Sequence, residues 1–472
     1  MIERGFRDSK RLVSSFLPIL LTLFVASEST AQVSLRQKIG QMVMVTMTGD
    51  SLDGKSSPSV DTMKSDLANG IIGGVIMFTW SNNLRNPLQI AHLTQKLQER
   101  ASVPLFICID EEGGQVARLS ASNGFANTPS AFQMGSANNE ASTRSTAATM
   151  AGWFVQTGIN LNLAPVVDVN VNPNSPAIGA LGRSFSSNPD IVTANASWFI
   201  EEFRKKNILT TLKHFPGHGS AATDSHLGLV DITSTWSDKE LTPYRQLLSA
   251  GKIDAIMTAH VFNAKLDSLY PATLSQKILT GILRNQLGYN GVVVSDEMSM
   301  QAIVSYYGFD DAVTLGVNAG LDILLYNSNL HDASSSRARH VVDLIERNVR
   351  NGTIDAKRID DSYNRIMALK RRSIASGVEI ALSAVPDRFA LKNYPNPFNL
   401  STTIALQIPH QEHVSLKIFN LLGREIVTLL DDDVTAGTRL VTWNAADLAS
   451  GIYLAQLRTS REVHYLKLVL LK

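Results

Sequence analysis

The sequence predicts an α/β chain: a (β/α)8 TIM-type barrel followed by a small all-β sandwich domain. Three observations predict it. Eight short apolar runs, each followed by turn residues and a helical pattern, fill the middle of the chain. Polar, titratable residues collect at the ends of those runs. After residue 376 the pattern changes to short alternating stretches separated by glycine turns. The predicted divisions are 1–31, 32–376, 377–390 and 391–472, as signal peptide, barrel, linker and sandwich.

The first division rests on order. Arg4, Arg7, Lys10 and Arg11 form a basic start, and Leu12 to Ala26 is apolar apart from Ser14, Ser15 and Thr22. Ser29 and Ala31 then place small residues around a cut after Ala31. Basic, apolar and small-residue regions in that order read as a secretory signal peptide. The apolar run is shorter than the ~20 residues needed to span a bilayer, and Pro18 interrupts it. The expected mature protein is soluble, exported and without stable membrane insertion.

Composition sets limits. Lys plus Arg number 43 against 42 Asp plus Glu, a formal net charge of +1, which argues against a nucleic-acid partner. A hydrophobic fraction of 44% with 18% charged residues is globular. Cys108 is the one cysteine, so an intrachain disulfide and a multi-cysteine metal site are both excluded.

The barrel runs are Met42–Met47, Gly74–Phe78, Leu105–Asp110, Asn160–Pro165, Thr210–Phe215, Ala255–Ala259, Gly291–Ser295 and Asp322–Tyr326. Continuous apolar runs alternating with helices indicate strands buried on both faces, as in a parallel sheet. The competing open doubly wound sheet usually carries G-x-G-x-x-G after its first strand. Here that strand runs into Thr48-Gly49-Asp50-Ser51. Asp110, Lys213 with His214, His260 and Asp296 lie at run ends, and a barrel gathers such ends at one face, where active sites lie.

The richest loop is Lys213-His214-Phe215-Pro216-Gly217-His218-Gly219, followed after four residues by Asp224-Ser225-His226. One chemistry for it is a metal site on His214 and His218, although Pro216 and Gly217 break the helix that would align them. Another is proton transfer by a histidine oriented by a carboxylate, with Asp224 two residues before His226. The same residues also read as a solvated loop. Val292-Val293-Val294 delivers Asp296 to a strand end, where a carboxylate can attack an anomeric carbon; Ser295-Asp296 also fits a helix N-cap. Asp110 and Arg118 flank Gly113 and Gly114, and Arg183 stands in Gly182-Arg183-Ser184-Phe185. These side chains can hydrogen-bond hydroxyls or carbonyls.

The motifs Asp-x-Glu-Gly-Gly-x-Val-x-Arg, Gly-Arg-Ser-Phe, Lys-His-Phe-Pro-Gly-His-Gly-x4-Asp-Ser-His and Ser-Asp-x-x-Ser-Met, in that order, resemble glycoside hydrolase family 3, in its β-N-acetylglucosaminidase (β-N-acetylhexosaminidase) branch. The resemblance covers about Val33 to Ser376. It implies a retaining exo-hydrolase for terminal β-linked N-acetylhexosamine in peptidoglycan fragments or chito-oligosaccharides. Asp296 is then the nucleophile, His226 the general acid and base, and Asp224 its carboxylate partner. Asp110, Arg118, Arg183, Lys213 and His214 are then substrate-binding residues. No cofactor and no metal are implied. The alternatives are a non-catalytic glycan-binding barrel and a metal-dependent hydrolase using the His214/His218 loop.

In the last division Val414–Phe419, Glu425–Leu430, Leu440–Trp443, Gly451–Leu457 and Val463–Leu470 read as strands. Turns are expected at Tyr394–Asn399, Leu422-Gly423-Arg424 and Ala436-Gly437-Thr438. Asn-Tyr-Pro-Asn-Pro-Phe-Asn, Asn-Leu-Leu-Gly-Arg-Glu and Ala-Ser-Gly-Ile-Tyr resemble the type IX secretion sorting domain. The type IX secretion machinery is therefore the expected partner. A carbohydrate-binding sandwich is the competing reading, with few aromatics to supply a sugar platform.

Overall fold

A computed structural model describes residues 33–53, 56–223, 228–332, 335–374, 389–394, 396–434 and 437–471. The predicted signal peptide, and the linker up to residue 388, lie outside the described residues.

Eight parallel strands close into a barrel: β1 (Val43–Val45), β2 (Gly74–Ile76), β3 (Phe106–Ile109), β4 (Leu161–Asn162), β5 (Leu209–Phe215), β6 (Ala255–Thr258), β7 (Val292–Glu297) and β8 (Ile323–Leu325). Each pairs with its neighbour in sequence, and β8 returns to β1 through Val43 opposite Leu324. This closure excludes the open doubly wound sheet. Every predicted run holds one strand. β5 begins one residue early, and β7 runs two residues further, through Asp296 and Glu297. The N-cap alternative for Ser295-Asp296 therefore fails: the next helix, Gln301–Tyr307, starts after Met300.

The strands are continuous apolar runs because they are covered on both sides. Val292, Val293 and Val294 are at most 1% exposed. Helices pack outside them by their apolar stripes. In Pro189–Lys205, Val192, Ala196, Phe199, Ile200 and Phe203 recur at helical spacing and are buried. Asn188 caps its first turn by accepting the Asp190 amide, and Pro189 sits where no amide is needed. Phe203 stacks on Phe199 and meets Phe154 edge-on, with centroids 4.8 and 5.3 Å apart. Each such ring contributes roughly 1.5–3 kcal/mol of burial, and truncating Phe203 to alanine costs about 3–5 kcal/mol. Cys108 is fully buried in β3, its sulfur 3.3 Å from that of Met44, as a packing residue.

At the N-terminal end of the barrel the chain is tied by charge. Asp322 is fully buried and accepts from Arg284, Arg358 and Arg365. Lys370 reaches Gln41 Oε1 at 2.7 Å and the Gly73 carbonyl at 2.8 Å, fastening helix Ala356–Ile374 to the barrel floor.

The C-terminal segment is all-β, as expected. One sheet holds β9 (Ala390–Tyr394), β10 (Ser401–Ile408) and β13 (Gly437–Asn444). The other holds β12 (Glu425–Val434), β11 (Glu412–Asn420), β14 (Gly451–Arg458) and β15 (Val463–Leu470). Ile404, Leu406, Val414, Leu416, Ala455 and Leu468, drawn from both sheets, form a separate core. Two strands, β9 and β10, go beyond the predicted set. Gly437 and Thr438, expected in a turn, already pair with Ile408 and Gln407.

Candidate active site

The carboxyl ends of the strands surround a cavity of about 410 Å³. Asp110, Arg118, Arg183, Lys213, His214 and Asp296 all line it. Sequence positions 186 residues apart thus meet in one place, because the closed sheet brings the strand ends together. Asp224 and His226 lie outside the described residues.

Asp110 follows β3 directly. The chain then doubles back as a short ribbon, Glu111–Gly113 against Val116–Ala117, which brings Arg118 back beside Asp110. Gly113 and Gly114 have φ of +91° and +61°. A Cβ on Gly113 would lie 2.3 Å from the Pro129 carbonyl, so this glycine serves the turn and its packing rather than approach to a ligand.

Five charges interlock on this side. Lys213 Nζ donates to Asp110 Oδ1 and Glu112 Oε1, each at 2.7 Å. Arg183 forks onto Glu112 with two 2.8 Å bonds, while Arg118 reaches Asp110 Oδ2 at 3.2 Å. Burial opposes the charges of Asp110, Glu112, Arg183 and Lys213, and their partners overcome it. Arg183 and Lys213 hold Glu112 down at about 2. Lys213 and Arg118 hold Asp110 below the usual carboxylate range. The two carboxylates in turn raise Lys213. These side chains present fixed charges and donors to the cavity without needing to rearrange.

His214 extends the network. Its Nδ1 is 2.7 Å from Asp168 Oδ2, and Arg183 Nη2 stands 3.3 Å from its Nε2. Asp168 is fully buried and also accepts the backbone amides of His214 and His218. The rings of His214 and His218 are 5.9 Å apart. With Asp168 on one nitrogen and a guanidinium beside the other, His214 does not offer a metal the lone pair that the alternative reading needs. Among the described residues no group of three or more His, Cys, Asp and Glu is arranged to hold a metal ion.

The surroundings of Gly217 and Gly219 require glycine at both positions. Gly217 has φ of +120°, and a Cβ there would lie 2.6 Å from the Glu240 side chain. A Cβ on Gly219 would lie 1.8 Å from the Val169 carbonyl. Glu240 accepts the Gly219 amide at 3.0 Å. These glycines anchor the loop where it leaves the barrel.

Asp296 occupies the other side. Among the described residues its one hydrogen bond comes from the Glu297 amide, to Oδ1 at 2.8 Å. Burial pushes it up, but His260, His214, that amide and Lys213 hold it below the usual carboxylate range. Glu297 is differently committed: its Oε1 accepts the amides of Ser299 and Asn327 at 3.1 and 3.2 Å. Fully buried His260 fixes this turn, since its Nε2 lies 2.9 Å from the Glu297 carbonyl, which only accepts.

Glu112 and Asp168 join the site without having been singled out. Glu112 stands inside the recognised motif. Asp168 follows β4, and its signal is the shared rule that acids after barrel strands face the mouth.

Residues 34–369 match the glycosyl hydrolase family 3 N-terminal domain, and residues 392–471 match the secretion system C-terminal sorting domain. The chain is 32% identical over 395 residues to β-hexosaminidase A of Pseudoalteromonas piscicida, covering 76% of this chain and 65% of that protein. It is 38% identical over 266 residues to the β-hexosaminidase of Tolumonas auensis, covering 55% of this chain and 76% of that protein. A family 3 β-N-acetylglucosaminidase structure from Paenibacillus superposes with a TM-score of 0.66 at 32% identity, over 78% of this chain and 71% of that one. The β-N-acetylhexosaminidase of Beutenbergia cavernae gives 0.63 at 28% identity, over 72% and 99%.

Proposed function

Since the chain belongs to glycosyl hydrolase family 3 and its own relatives are β-hexosaminidases, we propose that it is a retaining exo-β-N-acetylglucosaminidase. The observation that carries this is the division of one cavity into a pre-paired charged wall and a lightly bonded carboxylate. Asp110, Arg118, Arg183, Lys213 and His214 hold the hydroxyls and acetamido group of a terminal sugar. Asp296, ionised at neutral pH, attacks the anomeric carbon and forms a glycosyl-enzyme ester as the glycosidic C–O bond breaks. His226, oriented by Asp224, gives its proton to the departing oxygen. It then takes one from the water that cleaves the ester. The glycan is a chito-oligosaccharide or a peptidoglycan fragment with a terminal β-linked N-acetylglucosamine.

A fluorinated sugar trap followed by peptide mapping should label Asp296, and His226→Ala should slow hydrolysis of p-nitrophenyl N-acetylglucosaminide by about 10²–10⁴. A label elsewhere, or full activity in that variant, refutes the corresponding role. Comparing rates with and without phosphate separates hydrolysis from phosphorolysis.

Delivery is the role of the second region. The sorting-domain match and the predicted signal peptide support export to the cell surface or medium through type IX secretion. Among the described residues no helix is long and apolar enough to cross a membrane. Residues 377–472 fused to a reporter should carry it out of a type IX host; retention of the fusion, with binding to chitin, would favour a glycan-binding module instead.

A further inference from the structure

Trp80 is 62% exposed, yet it lines the same cavity as Asp296. A lone surface aromatic is ordinary. This one is held. Its ring stacks on Phe78 with centroids 4.9 Å apart and 23° between planes. The Arg118 guanidinium lies over the Phe78 ring, 5.7 Å from its centroid. Trp80 is thereby linked through Phe78 and Arg118 to Asp110.

The backbone on either side is equally fixed. Ser81 and Asn83 are fully buried. Ser81 Oγ donates to the Phe78 carbonyl at 2.9 Å, and Asn83 Oδ1 accepts the Phe78 amide at 2.8 Å. Asn83 Nδ2 donates to the Met47 carbonyl at 3.0 Å, and the Ser81 carbonyl accepts the Gly49 amide at 2.9 Å. The loop after β2 thus presents an indole on a turn pinned to the loop after β1. An exposed apolar face held this firmly, at the rim of a cavity whose depth is lined by charge, suits a ligand with one apolar face and polar edges. A pyranose ring is such a ligand: its axial C–H bonds meet the electron-rich face of the indole.

We propose that Trp80 is the platform on which the leaving-group sugar, the pyranose on the reducing side of the cleaved bond, stacks. The proposal rests on the glycosidase reading above. The charged wall then binds the sugar that is cleaved off, and Trp80 binds the one it leaves.

The test compares the full chain with Trp80→Ala and Trp80→Phe on two substrates. N,N′-diacetylchitobiose has a sugar leaving group; methyl N-acetyl-β-glucosaminide has none. In Trp80→Ala, kcat/KM on chitobiose should fall about tenfold, the scale of one aromatic stacking contact, while the methyl glycoside changes less than about twofold. Trp80→Phe should recover most of the chitobiose activity. Equal losses on both substrates, or unchanged chitobiose hydrolysis, overturn the platform while leaving the glycosidase intact. A wild-type chain inert on both substrates overturns the glycosidase reading and this proposal with it.

Discussion

At the N-terminal end of the barrel, Asp322 is fully buried beneath three arginines, two of them from helix Ala356–Ile374. At the C-terminal end, Asp110 and Glu112 are held by Arg118, Arg183 and Lys213, all from strand ends and the loops after them. Both ends therefore contain acids sunk among cations, and both hold those acids ionised. Buried charge alone does not mark a site. What differs is what the charges face. Asp322 also accepts from Ser362 and from the Val293 amide, so its oxygens are taken up within the fold. The mouth cluster borders a cavity, opposite a carboxylate with one hydrogen bond among the described residues. The ion pairs around Asp322 close on themselves; those at the mouth border a cavity that a ligand can enter.

The sharpest way to break this contrast is at Asp296. Asp296→Asn should lower kcat by roughly 10⁴–10⁶ while the unfolding midpoint stays near that of the wild type. A large loss of stability would place Asp296 with Asp322 as a structural acid. Next in size, Asp322→Ala should leave three arginines without their carboxylate and cost about 3–5 kcal/mol in denaturant unfolding, with kcat of the folded enzyme retained. Loss of kcat without loss of stability would reverse the assignment of the two ends.

The smallest effect sharpens the boundary between them, at Glu240 beneath the His218 loop. Burial, with help from Asp168, raises its carboxyl from 4.5 to about 8, against hydrogen bonds from Ser220 and Gly219. The folded state therefore keeps a proton that the unfolded chain releases above about pH 4.5. This contribution is complete below that pH and is lost as pH rises through 8, by at most about 1.4 kcal/mol per pH unit. Glu111, also raised to about 8 by burial, adds to the wild-type slope, so the difference between wild type and Glu240→Gln isolates Glu240. Identical slopes from pH 5 to 8 would mean that Glu240 is ionised in the fold.

The barrel was legible because parallel strands covered on both sides must be apolar throughout, as Val292-Val293-Val294 is, and because helices between them must show a stripe. Asp110, Arg118, Arg183, Lys213, His214 and Asp296 were legible as polar residues in motifs at or near strand ends. The motif Asp-x-Glu-Gly-Gly marks Glu112 and leaves Glu111 variable, but it says nothing of their partners, and that of Glu112 is 71 residues away. Only the fold reveals that Glu112 meets Arg183 while Glu111 caps the amides of Arg118 and Leu119. In the sandwich, β10 alternates at Thr402, Ile404, Leu406 and Ile408, but Pro395, Pro397 and Asn399 just before it made the region read as turn.

Cys108 has a practical use. It is the chain's one thiol, it is fully buried, and burial raises its pKa well above the ordinary thiol value. A cysteine introduced at any exposed position therefore becomes the reactive handle, with no need to remove the native one. A fluorophore placed near the rim by such a handle would report whether a sugar enters the cavity, and one on the sandwich would report whether that region is exported.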